Sequence, residues 1–216
     1  MASVKKDKID LIRRLYYEEL LSMSQVARRL GASLDAVVYF MRRNGLNRRS
    51  ALDANNNLFR QKTPSFRVRG NGSLLAKELE IAGVMLYWAE GYKSKNANWV
   101  DLANSDPKII EVFLNFLRKT YEVDERKFRV LLYCYADQDV RKLINFWSEL
   151  TGVPSRQFIK PYIRKDFRKD GRKMEHGMIH IRYIDKKLLL DIKDRIEEHV
   201  KKFTHKRAGG GVVNRT

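Results

Sequence analysis

Glu90 is the acid whose setting points to chemistry. Every position from Ile81 to Ala89 is apolar or glycine, and Gly91 follows the carboxylate directly. A helix that is apolar all round has to be buried, and a glycine after it is a natural stop. A carboxylate at the mouth of a buried helix either neutralises a nearby cation, such as Lys93, or ligates a metal. Two-metal phosphodiester hydrolysis requires at least two carboxylates around ions about 4 Å apart. Glu90 is one acid, while Asp101 and Asp106 fall on a strand and at a helix cap, where structural roles account for them. No other catalytic set competes. His176, His180, His199 and His205 have no ligand spacing with Cys134, and Gly70-Asn71-Gly72 is no phosphate loop.

The chain around this acid is strongly basic. Its 216 residues carry 44 Lys and Arg against 26 Asp and Glu, a net charge of +18, distributed along the length. Such a balance suits a polyanion, nucleic acid foremost, although generic surface basicity produces it too. The apolar content of 44% supports a packed core. The sole cysteine, Cys134, excludes an internal disulfide. No signal-like segment is evident and Ile81 to Ala89 is too short to span a bilayer. The expectation is a cytoplasmic protein without membrane contact, nucleoid-associated if bacterial.

Residues 1–46 read as a helix-turn-helix domain. Ile9, Ile12, Leu15 and Tyr16 recur at helical spacing over Ile9 to Leu21. In Met23 to Arg42, Ala27 is the small residue at a helix crossing and Gly31 sits at the tight turn. Val26, Leu30, Ala32, Val37 and Phe40 point inward, and Ser24 and Ser33 are suitable N-caps. In this geometry the third helix enters the major groove. It would present Ser33, Asp35, Ala36, Tyr39, Arg42 and Arg43, of which the arginines suit guanine or phosphate. A trihelical scaffold without DNA is the plainer alternative.

Residues 47–73 have turn-forming composition, with an asparagine triplet, a proline and glycines, and read as a flexible basic linker. Arg48, Arg49, Arg67 and Arg69 could lie along phosphates or in a minor groove; a solvated spacer fits as well. Beyond it, strands are expected at Trp99 to Ala103 and Phe128 to Tyr135. Helices are expected at Pro107 to about Tyr121, from Asp137 to Gly152, and over Lys186 to about Phe203. Asn115 and Asn145, Arg126 and Arg156, and Phe128 and Phe158 are identical pairs at a thirty-residue spacing, suggesting that both segments are the same kind of element.

Gln157 to Asp185 reads as a β-hairpin turning at Asp170-Gly171. Period two sends Ile159, Ile163, Ile179, Ile181 and Tyr183 to the core. Lys160, Tyr162, Arg164, His180 and Arg182 then form a cationic, aromatic outer face, extended by Arg168 and Lys169. A ribbon of this character fits a major groove, and solubility alone also requires charged outer faces. Residues 205–216, with three successive glycines, read as a disordered tail.

The apolar helix closing on Ala89-Glu90-Gly91, followed by strands and helices, resembles the LAGLIDADG homing endonuclease fold. Gly83 to Gly91, GVMLYWAEG, aligns with the nine motif positions, and residues 74–204 would form the domain. The resemblance implies an α+β architecture: a trihelical helix-turn-helix, then a mixed sheet with helices built around a buried motif helix. It also implies a homodimer through residues 74–91, and Glu90 as catalytic metal ligand if the protein is a nuclease. Met85 and Trp88 depart from the family's small and acidic residues, and a second acidic helix foot is missing. Relatives of this fold include helix-turn-helix transcription regulators. The expected function is sequence-specific binding of double-stranded DNA by a transcription regulator, with Lys93 and the basic faces gripping one extended site. The alternatives are a Mg²⁺-dependent endonuclease using Glu90 from two paired helices, and an RNA-binding or scaffold protein.

Overall fold

Helices come first along the chain, then a mixed four-stranded sheet with helices packed on it. The computed structural model describes residues 8–70, 72–165 and 174–204. The chain divides into two units, Met1–Thr63 and Pro64–Thr216, each with its own hydrophobic core. No helix among the described residues is long and apolar enough to cross a membrane.

In the first unit, α1 (Ile9–Arg13) runs into a π-helical turn, Arg14–Glu18. The segment therefore stops short of Leu21, and Leu20 takes a left-handed backbone with φ 55°. Helix α2 (Met23–Leu30) is capped by Ser22 rather than Ser24. Ser22 Oγ accepts from Gln25 N while the Gln25 side chain accepts from Ser22 N, a reciprocal cap that satisfies two orphan donors. Gly31, with φ 63°, closes α2, and Ser33 caps α3 (Leu34–Arg43) by accepting from Ala36 N. Ile12, Leu15, Tyr16, Val26, Ala27, Val37, Phe40, Met41 and Leu46 form the core of this unit.

Residues 47–73 are not the flexible linker that their composition implied. Ser50 caps α4 (Ala51–Gln61), accepting from Asp53 N, so a good cap nucleates a helix through the asparagine triplet. No α4 residue is fully buried. Farther on, β1 (Phe66–Val68) pairs antiparallel with β3 (Tyr121–Val123).

The second unit continues with α5 (Leu74–Glu90), β2 (Val100–Asn104) and α6 (Pro107–Thr120). After β3 come β4 (Phe128–Tyr135), α7 (Val140–Thr151), β5 (Phe158–Arg164), β6 (Met178–Tyr183) and α8 (Lys186–Phe203). Asp139, not Asp137, caps α7. One 3₁₀ turn, Glu125–Lys127, precedes Phe128 and another, Ser155–Gln157, precedes Phe158, so both members of the thirty-residue repeat have the same local form.

The sheet order is β2-β6-β4-β5. Strand β5 runs parallel to β4, as a helical crossover through α7 permits, and β6 is antiparallel to both β2 and β4. The expected hairpin is therefore absent: β6 inserts between β2 and β4 instead of pairing with β5. The expected core placement of Ile159 and Ile163 fails for a related reason. The β4–β5 register slips between Leu131 and Tyr133, which puts Ile159 on the same face as Tyr162 and Arg164. On this outermost strand Ile159 and Ile163 stay exposed, and Pro161 is tolerated. Phe128, Val130, Leu132, Cys134, Ile179, Ile181 and Tyr183 form the opposite, buried face beneath the helices.

The apolar helix α5 is not buried all round. Gly83, Val84 and Tyr87 are its fully buried residues, while Ile81, Ala82, Trp88 and Ala89 are exposed. Its buried face meets α6, where the bare Cα of Gly83 admits the Phe116 ring; a Cβ at Gly83 would overlap that ring. Near its N-terminal end, Glu80 pairs with Arg195 of α8, which also donates to Asp191 Oδ2 at 2.7 Å. Tyr121 completes this network by donating to Asp191 Oδ2 at 2.7 Å.

Candidate nucleic-acid interface

Along α3 the capping and packing of one face dictate what the other presents. Val37, Phe40 and Met41 are buried. Asp35, Tyr39, Arg42 and Arg43 are exposed, with Ser33 and Ala36 half-buried beside them. Arg43 Nη1 donates to Tyr39 Oη at 3.4 Å, and the Arg42 guanidinium lies 5.9 Å from the centre of the same ring. The result is a phenol flanked by two cations on a rigid helix, a grouping suited to phosphate and base edges.

The basic residues after α3 have diverse settings. Arg48 is exposed. Arg49 is occupied within the first unit: its guanidinium lies 4.0 Å from the centre of the Tyr16 ring and donates to the carbonyls of Leu20 and Leu21. Arg67 and Arg69 are exposed in and after β1, where Arg69 N donates to Thr120 O. Lys93 donates to Gly91 O at 2.6 Å and more weakly to Tyr87 O. The lysine therefore satisfies the open carbonyl end of α5.

On the outer face of the sheet, cross-strand register sets the rows. Asp101 of β2 lies opposite Arg182 of β6, which lies opposite Arg129 of β4. In the next row Ala103, His180, Leu131 and Ile159 are neighbours. Tyr133 then lies beside Tyr162 and Met178. The Tyr133 ring is 4.9 Å from that of Tyr162 and 5.1 Å from that of His180. Lys160 is exposed at the register slip. Arg168 and Lys169 lie outside the described residues, as does the tail from His205 onward.

Asp101 organises this face. Its Oδ1 is 2.8 Å from His180 Nδ1 and its Oδ2 accepts from Arg182 Nε at 2.8 Å, with a longer bond from Trp99 Nε1. Burial of Asp101 pushes its carboxyl up, but the bonds and charges of His180 and Arg182 outweigh that and hold it below the usual carboxylate range. Tyr87 Oη accepts from Asp101 N and donates to Tyr92 O, tying α5 to β2. Burial pushes the Tyr87 phenol up to about 12.

The organising part of Asp101 has no signature in the local sequence, because its partners stand 79 and 81 residues away. Alternation along β2 does place Asp101 opposite to Val100 and Leu102, which is the one local signal available.

Glu90 opens on a cleft of about 440 Å³ shared with Tyr92, Trp99, Asp101, His180 and Arg182. The fit to Mg²⁺ is poor. Both Asp101 oxygens are taken, one by His180 and one by Arg182, which leaves Glu90 alone, and no group of three His, Cys, Asp or Glu among the described residues is placed to hold a metal. A two-metal step within one chain lacks its carboxylates.

Comparison of the chain with protein-family models, curated proteins and solved structures finds no match.

Proposed function

We propose that this chain is a sequence-specific double-stranded DNA-binding protein, a transcription regulator that reads the major groove with α3 of a helix-turn-helix. The carrying observation is the exposed Tyr39-Arg42-Arg43 cluster on a helix whose opposite face is locked into the core. The Ser33 cap fixes the start of that helix, the end that leads into the groove in this class of domain, and Tyr39, Arg42 and Arg43 follow from its middle to its last turn, where they would flank the groove's edge. The net charge of +18 supplies the electrostatic attraction.

Binding-site selection from random duplexes, followed by fluorescence anisotropy at physiological salt, tests this reading. Arg42→Ala with Arg43→Ala should weaken the selected duplex by about 2 kcal/mol, roughly thirtyfold, if either arginine contacts a guanine. Equal affinity of the wild-type protein for selected and random duplexes would sink it.

The second unit, in this reading, is a LAGLIDADG-like domain that pairs through α5. Leu74, Leu75, Ile81 and Trp88 expose 73%, 74%, 39% and 49% of their surface on that helix. An apolar face of this kind calls for a partner, and the resemblance makes it the α5 helix of a second copy. Analytical ultracentrifugation should find a species of twice the 25.5 kDa chain mass. Ile81→Glu with Trp88→Glu should restore the monomer, because two like charges at such an interface cost several kcal/mol. A wild-type protein that stays monomeric at every concentration used for DNA binding refutes the pairing.

A further inference from the structure

We propose that the outer face of the β2-β6-β4-β5 sheet binds an unpaired nucleic-acid strand, stacking bases on the tyrosines of β4 and β5. The Tyr133, Tyr162 and His180 rings form one connected row, with centres 4.9 and 5.1 Å apart. Tyr162 is 56% exposed on the outermost strand, so its ring is accessible. Tyr133, Tyr162 and Met178 also line a cleft of about 330 Å³, within the range of small-ligand sites.

Duplex DNA hides the faces of its bases and offers edges and phosphates. An unpaired strand offers the faces, for which accessible aromatic rings are the matching chemistry. Central strands carrying aromatics on a four-stranded sheet are a recurring platform of this type; here β6 and β4 are the central strands and carry His180 and Tyr133.

The electrostatics fit the same ligand. Arg129, opposite Arg182, shares the face of the rings. Asp101, the acid beside the rings, is ion-paired with Arg182 and hydrogen-bonded to His180. Trp99, with Arg182 5.8 Å from its ring centre, extends the row toward the Glu90 cleft. This site is independent of α3, so one chain would hold a duplex on one unit and an unpaired strand on the other.

The test is fluorescence anisotropy of the full chain with labelled single-stranded DNA and RNA of roughly twelve nucleotides, in the presence of excess random duplex. Binding should persist against the competitor in at least one arm, and the tighter arm identifies the strand type. Tyr162→Ala should weaken it about tenfold, the loss of one stacked base, while Tyr162→Phe stays within twofold. Neither change should alter duplex binding that depends on Arg42 and Arg43. The proposal is overturned if duplex displaces both strands completely, or if Tyr162→Ala and Trp99→Ala each leave strand affinity within twofold. Selective duplex binding that survives such a result leaves the helix-turn-helix reading intact.

Discussion

Gly83→Ala is expected to destabilise the second unit by about 3 kcal/mol, the upper part of the usual range for overpacking a closed core. For a unit of this size that corresponds to a melting temperature lower by about 10 °C. Glycine is ordinarily a poor helix residue, and alanine in its place would add up to about 1 kcal/mol of helix propensity. The sign reverses here because the missing Cβ is where Phe116 sits. Phe116 cannot swing away, since it is fully buried and touches the Phe113 and Tyr121 rings at 6.0 and 5.7 Å. Glu111→Gln, on the exposed face of α6, is the control and should melt with the wild type. A Gly83→Ala protein melting at or above the wild-type temperature refutes this account of the α5–α6 contact.

Asp101→Asn should have a comparable effect, about 3 kcal/mol at neutral pH, and one that depends on acidity. Removing the charge leaves the Arg182 guanidinium without its anion and takes the charged partner from His180, at side chains that are only 22% and 20% exposed. The folded carboxyl of Asp101 titrates below its ordinary range. Its stabilisation is therefore complete above the unfolded value, near 4, and is lost as the pH falls through the lower folded value. Wild type and variant should thus differ most at neutral pH and converge as the solution is acidified below about pH 4. Melting curves across that range decide the matter: a gap that stays constant with pH would mean that the Asp101 charge is not what holds the face together.

Where local chemistry decides an element, the sequence was sufficient. Strand β4 and helix α8 fall where alternation and periodicity put them, and α3 exposes Asp35, Tyr39, Arg42 and Arg43 as the spacing implies. The errors arise where the deciding partner is distant. Nothing near Met178 to Tyr183 indicates that this strand chooses β2 and β4 over its neighbour β5. Asp101 is likewise an ordinary strand acid until His180 and Arg182 arrive beside it. The apolar run of α5 shows a different limit. A helix apolar on all sides must be covered, but its composition does not distinguish covering by its own chain from an exposed face awaiting a second molecule. The hidden helix α4 was masked by asparagines, which are weak helix formers, and was betrayed only by Ser50 three positions before Asp53.

The position of β6 also orders events in time. Among the described residues it is the last strand to leave the ribosome, yet it occupies the middle of the sheet between β2 and β4. Until Met178 to Tyr183 has emerged, β2 has no neighbour in the four-stranded sheet, and β4 can pair only with β5. The four-stranded sheet consequently cannot be completed before β6 is available, and β2 and one edge of β4 stay open to stray pairing until then.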